Sequence, residues 1–243
     1  MNPTATIETL RSLRLSGMAD VYEASLRFAG SESPTPGELI ARMAEAEWNL
    51  RQQRKTDRLL RQSTLRVPAT LDSLSFGPER NLNRDTIATL STMDWIKDGA
   101  SILVTGPTGV GKSFIACAFG HEACQKGIST RYHPAIKLFP ELRMARLDGS
   151  YHEKIARLRK TALLIIDDFA LQPLNGDDRL ALLEILDDRY NRSATIIASQ
   201  LPVSKWHELI GEPTIADAVM DRLAHTPWIF ELKGGSRRAK TGA

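Results

Sequence analysis

Residues 101–113 read Ser-Ile-Leu-Val-Thr-Gly-Pro-Thr-Gly-Val-Gly-Lys-Ser, and their order decides the fold. An apolar strand (101–105) runs into a glycine-rich turn, then a lysine and a hydroxyl, then a helix-compatible stretch from Phe114 to Ala123. Glycines let successive backbone N–H groups converge on an anion, and the N-terminus of the following helix adds partial positive charge. Lys112 has the length to reach outer phosphates, and the Ser113 hydroxyl suits a magnesium shell. The candidate phosphate cradle is Gly106, Pro107, Thr108, Gly109, Val110, Gly111, Lys112, Ser113 and Phe114. Such a chain is expected to bind a nucleoside triphosphate.

Working outward, residues from about 84 onward alternate helical patterns with short apolar strands at 101–105, 129–133, 162–167, 194–198 and 227–232. Strands that are apolar on both faces belong to a parallel sheet covered by helices on each side, so the expected class is α/β. The run Ala162-Leu163-Leu164-Ile165-Ile166-Asp167-Asp168-Phe169 is a buried strand with two acids at its carboxyl tip, where open α/β sheets bind ligands. Asp167 is expected to hold Mg²⁺ through water, and Asp168 to orient or deprotonate the attacking water. The strand Thr195-Ile196-Ile197-Ala198 ends in Ser199-Gln200. Either polar residue could face a γ-phosphate or simply cap the turn; reach favours Gln200. In Val219-Met220-Asp221-Arg222-Leu223 the arginine lies between apolar residues. It is either a transition-state arginine offered to a neighbouring subunit or half of a surface ion pair.

The first 65 or so residues carry helical periodicity and no strand signal, with Gly17 interrupting the pattern. Thr35-Pro36-Gly37-Glu38 is a capping box opening a long helix to about Thr64. On it, Arg51, Arg54, Lys55, Arg58 and Arg61 recur at steps of three and four, a basic stripe suited to nucleic-acid phosphates. A second basic stretch between the second and third strands includes Arg143 and Arg157. No base-reading motif accompanies either, so backbone contact with double-stranded DNA and little sequence preference is expected. Trp48 beside the stripe is expected to pack the helical segment rather than to stack on a base.

Composition adds bounds. The 243 residues are 42% hydrophobic and 25% charged with a net charge of +3, ordinary for a globular protein. No apolar run approaches the roughly 18 residues that span a bilayer, so no membrane role is expected. Cys117 and Cys124, seven apart on one helix, read as reduced core thiols, which fits a cytoplasmic location.

Taken together, residues 101–232 resemble the AAA+ ATPases. "LLIIDDF", "TIIASQLP" and "VMDRLAH" are most similar to the branch holding the helicase loader DnaC and the transposition helper IstB. "LRSLRLSGMADVYEASL" and "RQQRKTDRLLRQSTLRVPATLDSLSF" then favour the IstB family over nearly the whole chain. The resemblance implies an AAA+ core with a five-stranded parallel sheet (67–243) after a small helical DNA- or partner-binding domain (1–66). It implies Mg-dependent ATP hydrolysis, assembly into a homo-oligomer on DNA, and recruitment of the transposase IstA. Lys112, Ser113, Asp167, Asp168 and Arg222 match its motif positions, with Arg222 acting in trans and Lys112, Asp168, Gln200 and Arg222 as catalytic residues.

Two departures stand out. Gln200 replaces the more usual Asn, and Ser236-Arg237-Arg238 replaces the usual Ser-Tyr-Arg, leaving a second sensor arginine open. Only eleven residues follow Leu232, so no C-terminal helical lid is expected. The competing readings are a DnaC-like helicase loader and a phosphate-loop kinase acting on a small molecule.

Overall fold

The computed structural model describes residues 2–27, 34–224 and 228–236. The chain divides into two compact units, Met1–Arg58 and Leu59–Ala243. The first holds α1 (Pro3–Ser12), α2 (Ser16–Ser25) and most of α3 (Pro36–Ser63). The capping box forms as expected: the Thr35 amide donates to Glu38 Oε2 at 2.8 Å, and the Glu38 amide to Thr35 Oγ1 at 3.3 Å. Gly17 does not break a helix; it lies in the first turn of α2, pressed against α3. A Cβ at Gly17 would stand 2.7 Å from the Ala46 carbonyl oxygen. Its amide donates to Glu47 Oε2 at 2.9 Å, and that buried carboxylate also accepts from Arg51 Nε at 2.8 Å. A negative group thus meets the positive end of α2. Because Glu47 takes the inward position, Trp48 is turned about 100° away. It is 63% exposed, contrary to the expectation that it packs the helical segment.

The second unit is an α/β sheet with strand order β2-β3-β4-β1-β5, every pairing parallel. The strands are β1 (Ser101–Thr105), β2 (Thr130–Pro134), β3 (Leu163–Phe169), β4 (Ala194–Ser199) and β5 (Trp228–Glu231), each within two residues of the expected span at either end. Alternate side chains feed two cores. Ile102, Val104, Ile165 and Ile196 face one core, with α4 (Arg84–Leu90), α5 (Asp94–Lys97) and α6 (Lys112–Gln125). Leu103, Leu164, Ile166 and Ile197 face the other. That core is covered by α7 (Ala135–Asp148), α8 (Tyr151–Lys160), α9 (Gly176–Arg189), α10 (Trp206–Ile210) and α11 (Pro213–Ala224). Burial on both faces is why the strands read as unbroken apolar runs.

The division between units falls eight residues before the boundary expected from sequence. The reason is that the end of α3 and its connector belong to the sheet unit: Leu59 is buried there, Leu65 packs against its core, and Thr64 Oγ1 donates to the Tyr132 carbonyl at 3.1 Å. Cys117 and Cys124 are free, fully buried thiols on α6. Burial raises both above the usual thiol pKa. Among the described residues no helix is long and apolar enough to cross a membrane.

Candidate nucleotide site

The loop from β1 to α6 turns through Gly106, Gly109 and Gly111, whose φ values are +142°, +85° and +103°, conformations that side-chain-bearing residues rarely adopt. Gly111 ends the loop, and Lys112 opens α6, so the helix N-terminus faces the loop's interior. Lys112 is buried, with Nζ donating to the Pro107 carbonyl at 2.9 Å. Beneath the loop lies Arg80, 5% exposed, which donates to the Val110 carbonyl at 2.8 Å and to the Ser75 carbonyl. This brace has no signature in the sequence, since Arg80 stands in an irregular connector far from the loop in chain order.

A cavity of about 560 Å³ opens over the loop. Thr108, Lys112, Ser113 and Phe114 line it together with Arg66, Asp168 and Gln200. That volume is in the range of small-ligand sites. It stands at the carboxyl edge of the sheet, where β1 is flanked by β4 on one side and β5 on the other, the position at which open α/β sheets bind ligands.

The two acids are separated by a bulge. Ile166 pairs with Ile197, but Phe169 pairs with Ser199, so Asp167 and Asp168 oppose one residue of β4. Asp168 adopts φ +55° and lines the cavity, with its side chain one-quarter exposed. Asp167 is fully buried; its Oδ2 accepts from the Tyr132 hydroxyl at 2.5 Å and its Oδ1 from the Asp168 amide at 2.9 Å. Burial first, and the Asp167 carboxylate second, push the Tyr132 phenol well above its usual pKa, so it remains a proton donor. Arg66 Nη1 stands 2.9 Å from Asp168 Oδ2 and 3.8 Å from Asp167 Oδ2. Hydrogen bonding to the Tyr132 oxygen, and then to Asp168, raises the guanidinium's pKa further. Neither Arg66 nor Tyr132 is legible as a site residue from sequence.

The two sensor candidates separate cleanly. Ser199 is fully buried, donates to the Phe169 carbonyl at 2.8 Å and accepts from the Leu201 amide at 3.1 Å, so its hydroxyl closes the strand end. Gln200 reaches the phosphate loop, where its Oε1 accepts from Thr108 Oγ1 at 2.8 Å. Ser113, Asp167 and Asp168 supply oxygen donors, while no cluster of three or more His, Cys, Asp or Glu fit for a metal occurs among the described residues.

Arg222 lies elsewhere. On α11 it donates to Asp187 at 2.9 Å and Asp221 at 2.6 Å and stacks over Tyr190, 5.0 Å from the ring centroid. Its surroundings include Ser101 and Thr195, the amino ends of β1 and β4. Five residues of β1 at about 3.3 Å each put the phosphate loop roughly 16 Å further on. Arg222 and Lys112 are therefore not brought together within one chain. Beside Arg222, at the same amino ends of the strands, sits Arg189, 1% exposed, whose guanidinium donates to Thr195 Oγ1 and to the carbonyls of Leu158, Thr161, Ala162 and Ala194.

The basic stripe on α3 is exposed along Arg51, Arg54, Lys55, Arg58 and Arg61. Arg51 is committed to Glu47, whereas Arg54, Lys55 and Arg58 make no ion pair among the described residues. The second basic stretch is weaker than it reads. Arg143 closes onto Asp178, a nearly buried carboxylate at the start of α9, and Arg157 pairs with Glu153 one turn back on α8. Arg237 and Arg238 lie outside the described residues.

The sequence profile of the IstB-like ATP binding protein family matches residues 8–243. The chain belongs to this family. A Sinorhizobium fredii protein described as the insertion sequence ATP-binding protein y4pL is 42% identical over 233 residues, covering 96% of this chain and 95% of its own. An insertion sequence IS5376 ATP-binding protein of Geobacillus stearothermophilus is 30% identical, covering 96% and 93%. Among solved structures, the DnaC helicase loader superposes with a TM-score of 0.57 at 18% identity, over 68% of this chain and 97% of that one. AMPPCP-bound DnaA from Aquifex aeolicus gives 0.57 at 19% identity, over 72% and 53%. At such identities these two structures speak for the fold alone.

Proposed function

We propose that this family member binds and hydrolyses ATP in the cavity over the phosphate loop, assembles with copies of itself on DNA, and recruits the partner transposase of an insertion sequence. The observation that carries the reading is the division of charge across the sheet. Lys112, Asp168 and Gln200 share one cavity, and Arg222 stands at the opposite edge, where only another copy could use it. Loop amides, the α6 N-terminus and Lys112 neutralise the triphosphate; Asp168 orients the attacking water and receives its proton; Gln200 senses the terminal phosphate through its position on Thr108. Arg222 from a neighbour stabilises the charge of the transition state.

The donors suit magnesium, which takes one or two carboxylates and otherwise phosphates and water rather than an all-protein cage. Ser113 and Asp167 would hold it, and it would neutralise charge on the phosphates. Arg54, Lys55 and Arg58 supply DNA-backbone contacts. AMPPCP in the DnaA structure, and insertion sequences in the relatives' descriptions, support the nucleotide and the biological setting.

The test is complementation. Lys112→Ala and Arg222→Ala proteins should each be inactive alone, and mixing them should restore hydrolysis at interfaces that pair an intact loop with an intact arginine. Co-assembly without any recovery would refute the shared site. A pull-down with transposase against replicative helicase separates transposition from helicase loading.

A further inference from the structure

Arg66 is a cation placed against the very acids that hydrolysis needs. Its Nη1 is 2.9 Å from Asp168 and 3.8 Å from Asp167, on a side chain that remains 45% exposed. A guanidinium there repels a second cation from both carboxylates. Arg66 is also three residues beyond the last residue of α3, the helix that carries the basic stripe. The connector is fixed to the site twice. Arg66 reaches Asp168 directly, while Thr64 donates to the backbone of Tyr132, whose hydroxyl donates to Asp167. Between helix and arginine the chain turns at Thr64, a β-branched residue at φ +54°. A half-exposed ion pair is weak enough to be broken by a small displacement of the connector.

We propose that Arg66 is a positioning residue that restrains Asp168, and that engagement of α3 by DNA withdraws it and frees the carboxylate for hydrolysis. This coupling rests on the hydrolytic reading of the site and adds its regulation: α3 and the acids communicate through the three residues that follow the helix rather than across the body of the sheet. Arg66 donates through a single nitrogen, so a lysine can replace it in part.

The experiment uses the full chain and two readouts. First, Mg²⁺ is titrated without DNA against a fluorescent ATP analogue. Arg66→Ala should need about threefold less Mg²⁺ for half-saturation than the parent chain, with Arg66→Lys close to the parent. Second, Arg66→Ala should hydrolyse ATP about threefold faster without DNA and gain proportionally less when duplex is added. An unchanged or raised Mg²⁺ requirement together with slower turnover would overturn the proposal and leave Arg66 as a support for Asp168. If the parent chain does not hydrolyse ATP at all, the functional reading fails, yet the Mg²⁺ titration still decides whether Arg66 opposes a cation at the acids. Should Arg66→Ala fold poorly, Arg66→Gln removes the charge and keeps most of the bulk.

Discussion

Lys112 and Arg189 are both buried cations, one at the carboxyl edge of the sheet and one at the amino edge. Lys112 opens onto a cavity of about 560 Å³, shared with Asp168 and Gln200. Arg189 fills its site: burial pushes its pKa down to about 9, still leaving it charged at neutral pH, and its donors are spent on four carbonyls and a hydroxyl. The difference lies in what surrounds each charge. Lys112 donates to the Pro107 carbonyl and borders open volume beside other polar groups, while Arg189, enclosed by acceptors, ties elements together, here the end of α8 to the starts of β3 and β4.

The comparison breaks most sharply under substitution. Lys112→Ala should lower ATP turnover at least about a hundredfold with little change in melting temperature. Arg189→Ala should do the reverse, leaving several buried carbonyls unpaired at a cost of about 3 kcal/mol or more. For a chain of this size that is a fall in Tm of about 6 °C or more, readable by calorimetry or circular dichroism. If Arg189→Ala melts like the parent chain, the structural role assigned to it is wrong.

At the cavity edge, Asp168→Asn should reduce turnover about a hundredfold while nucleotide affinity, measured by fluorescent-analogue binding, stays near the parent value. A parallel loss of affinity would instead make Asp168 a binding group. Replacing Arg54, Lys55 and Arg58 together by Ala should weaken duplex binding and reduce the slope of log affinity against log salt by about 3, leaving DNA-free turnover intact. The smallest effects divide neighbours. Ser199→Ala should cost about 1 kcal/mol of stability with turnover unchanged, and Gln200→Ala should slow turnover severalfold with stability unchanged. Exchange of those two phenotypes would reverse the assignment of the strand-end residues.

Much of this molecule is written locally. The phosphate loop, the strand carrying Asp167 and Asp168 and the capping box at Thr35 each occupy a few consecutive residues, so periodicity and motif spacing reveal them. Arg66, Arg80 and Tyr132 are invisible by the same means, because each acquires meaning only when chain folding brings it to a loop or strand distant in sequence. The different partners that Ser199 and Gln200 take depend on how the end of β4 turns, which composition does not encode. Trp48 misled for a related reason: an aromatic reads as core until Glu47 claims the inward position.

The extra residue in β3 has a second effect. In an unbroken pleat, residues an odd number apart face opposite sides, so Phe169 would be parted from Ile166. The bulge resets that parity. Phe169 returns to the same core as Leu164 and Ile166, meeting the Trp206 ring at a centroid distance of 5.0 Å. One irregularity therefore both presents a carboxylate to the cavity and seats an aromatic pair on the far layer. Deleting a single residue there would restore a regular strand and dismantle both arrangements, which couples the carboxylate in the cavity to the integrity of the α9–α11 layer at one position in the chain.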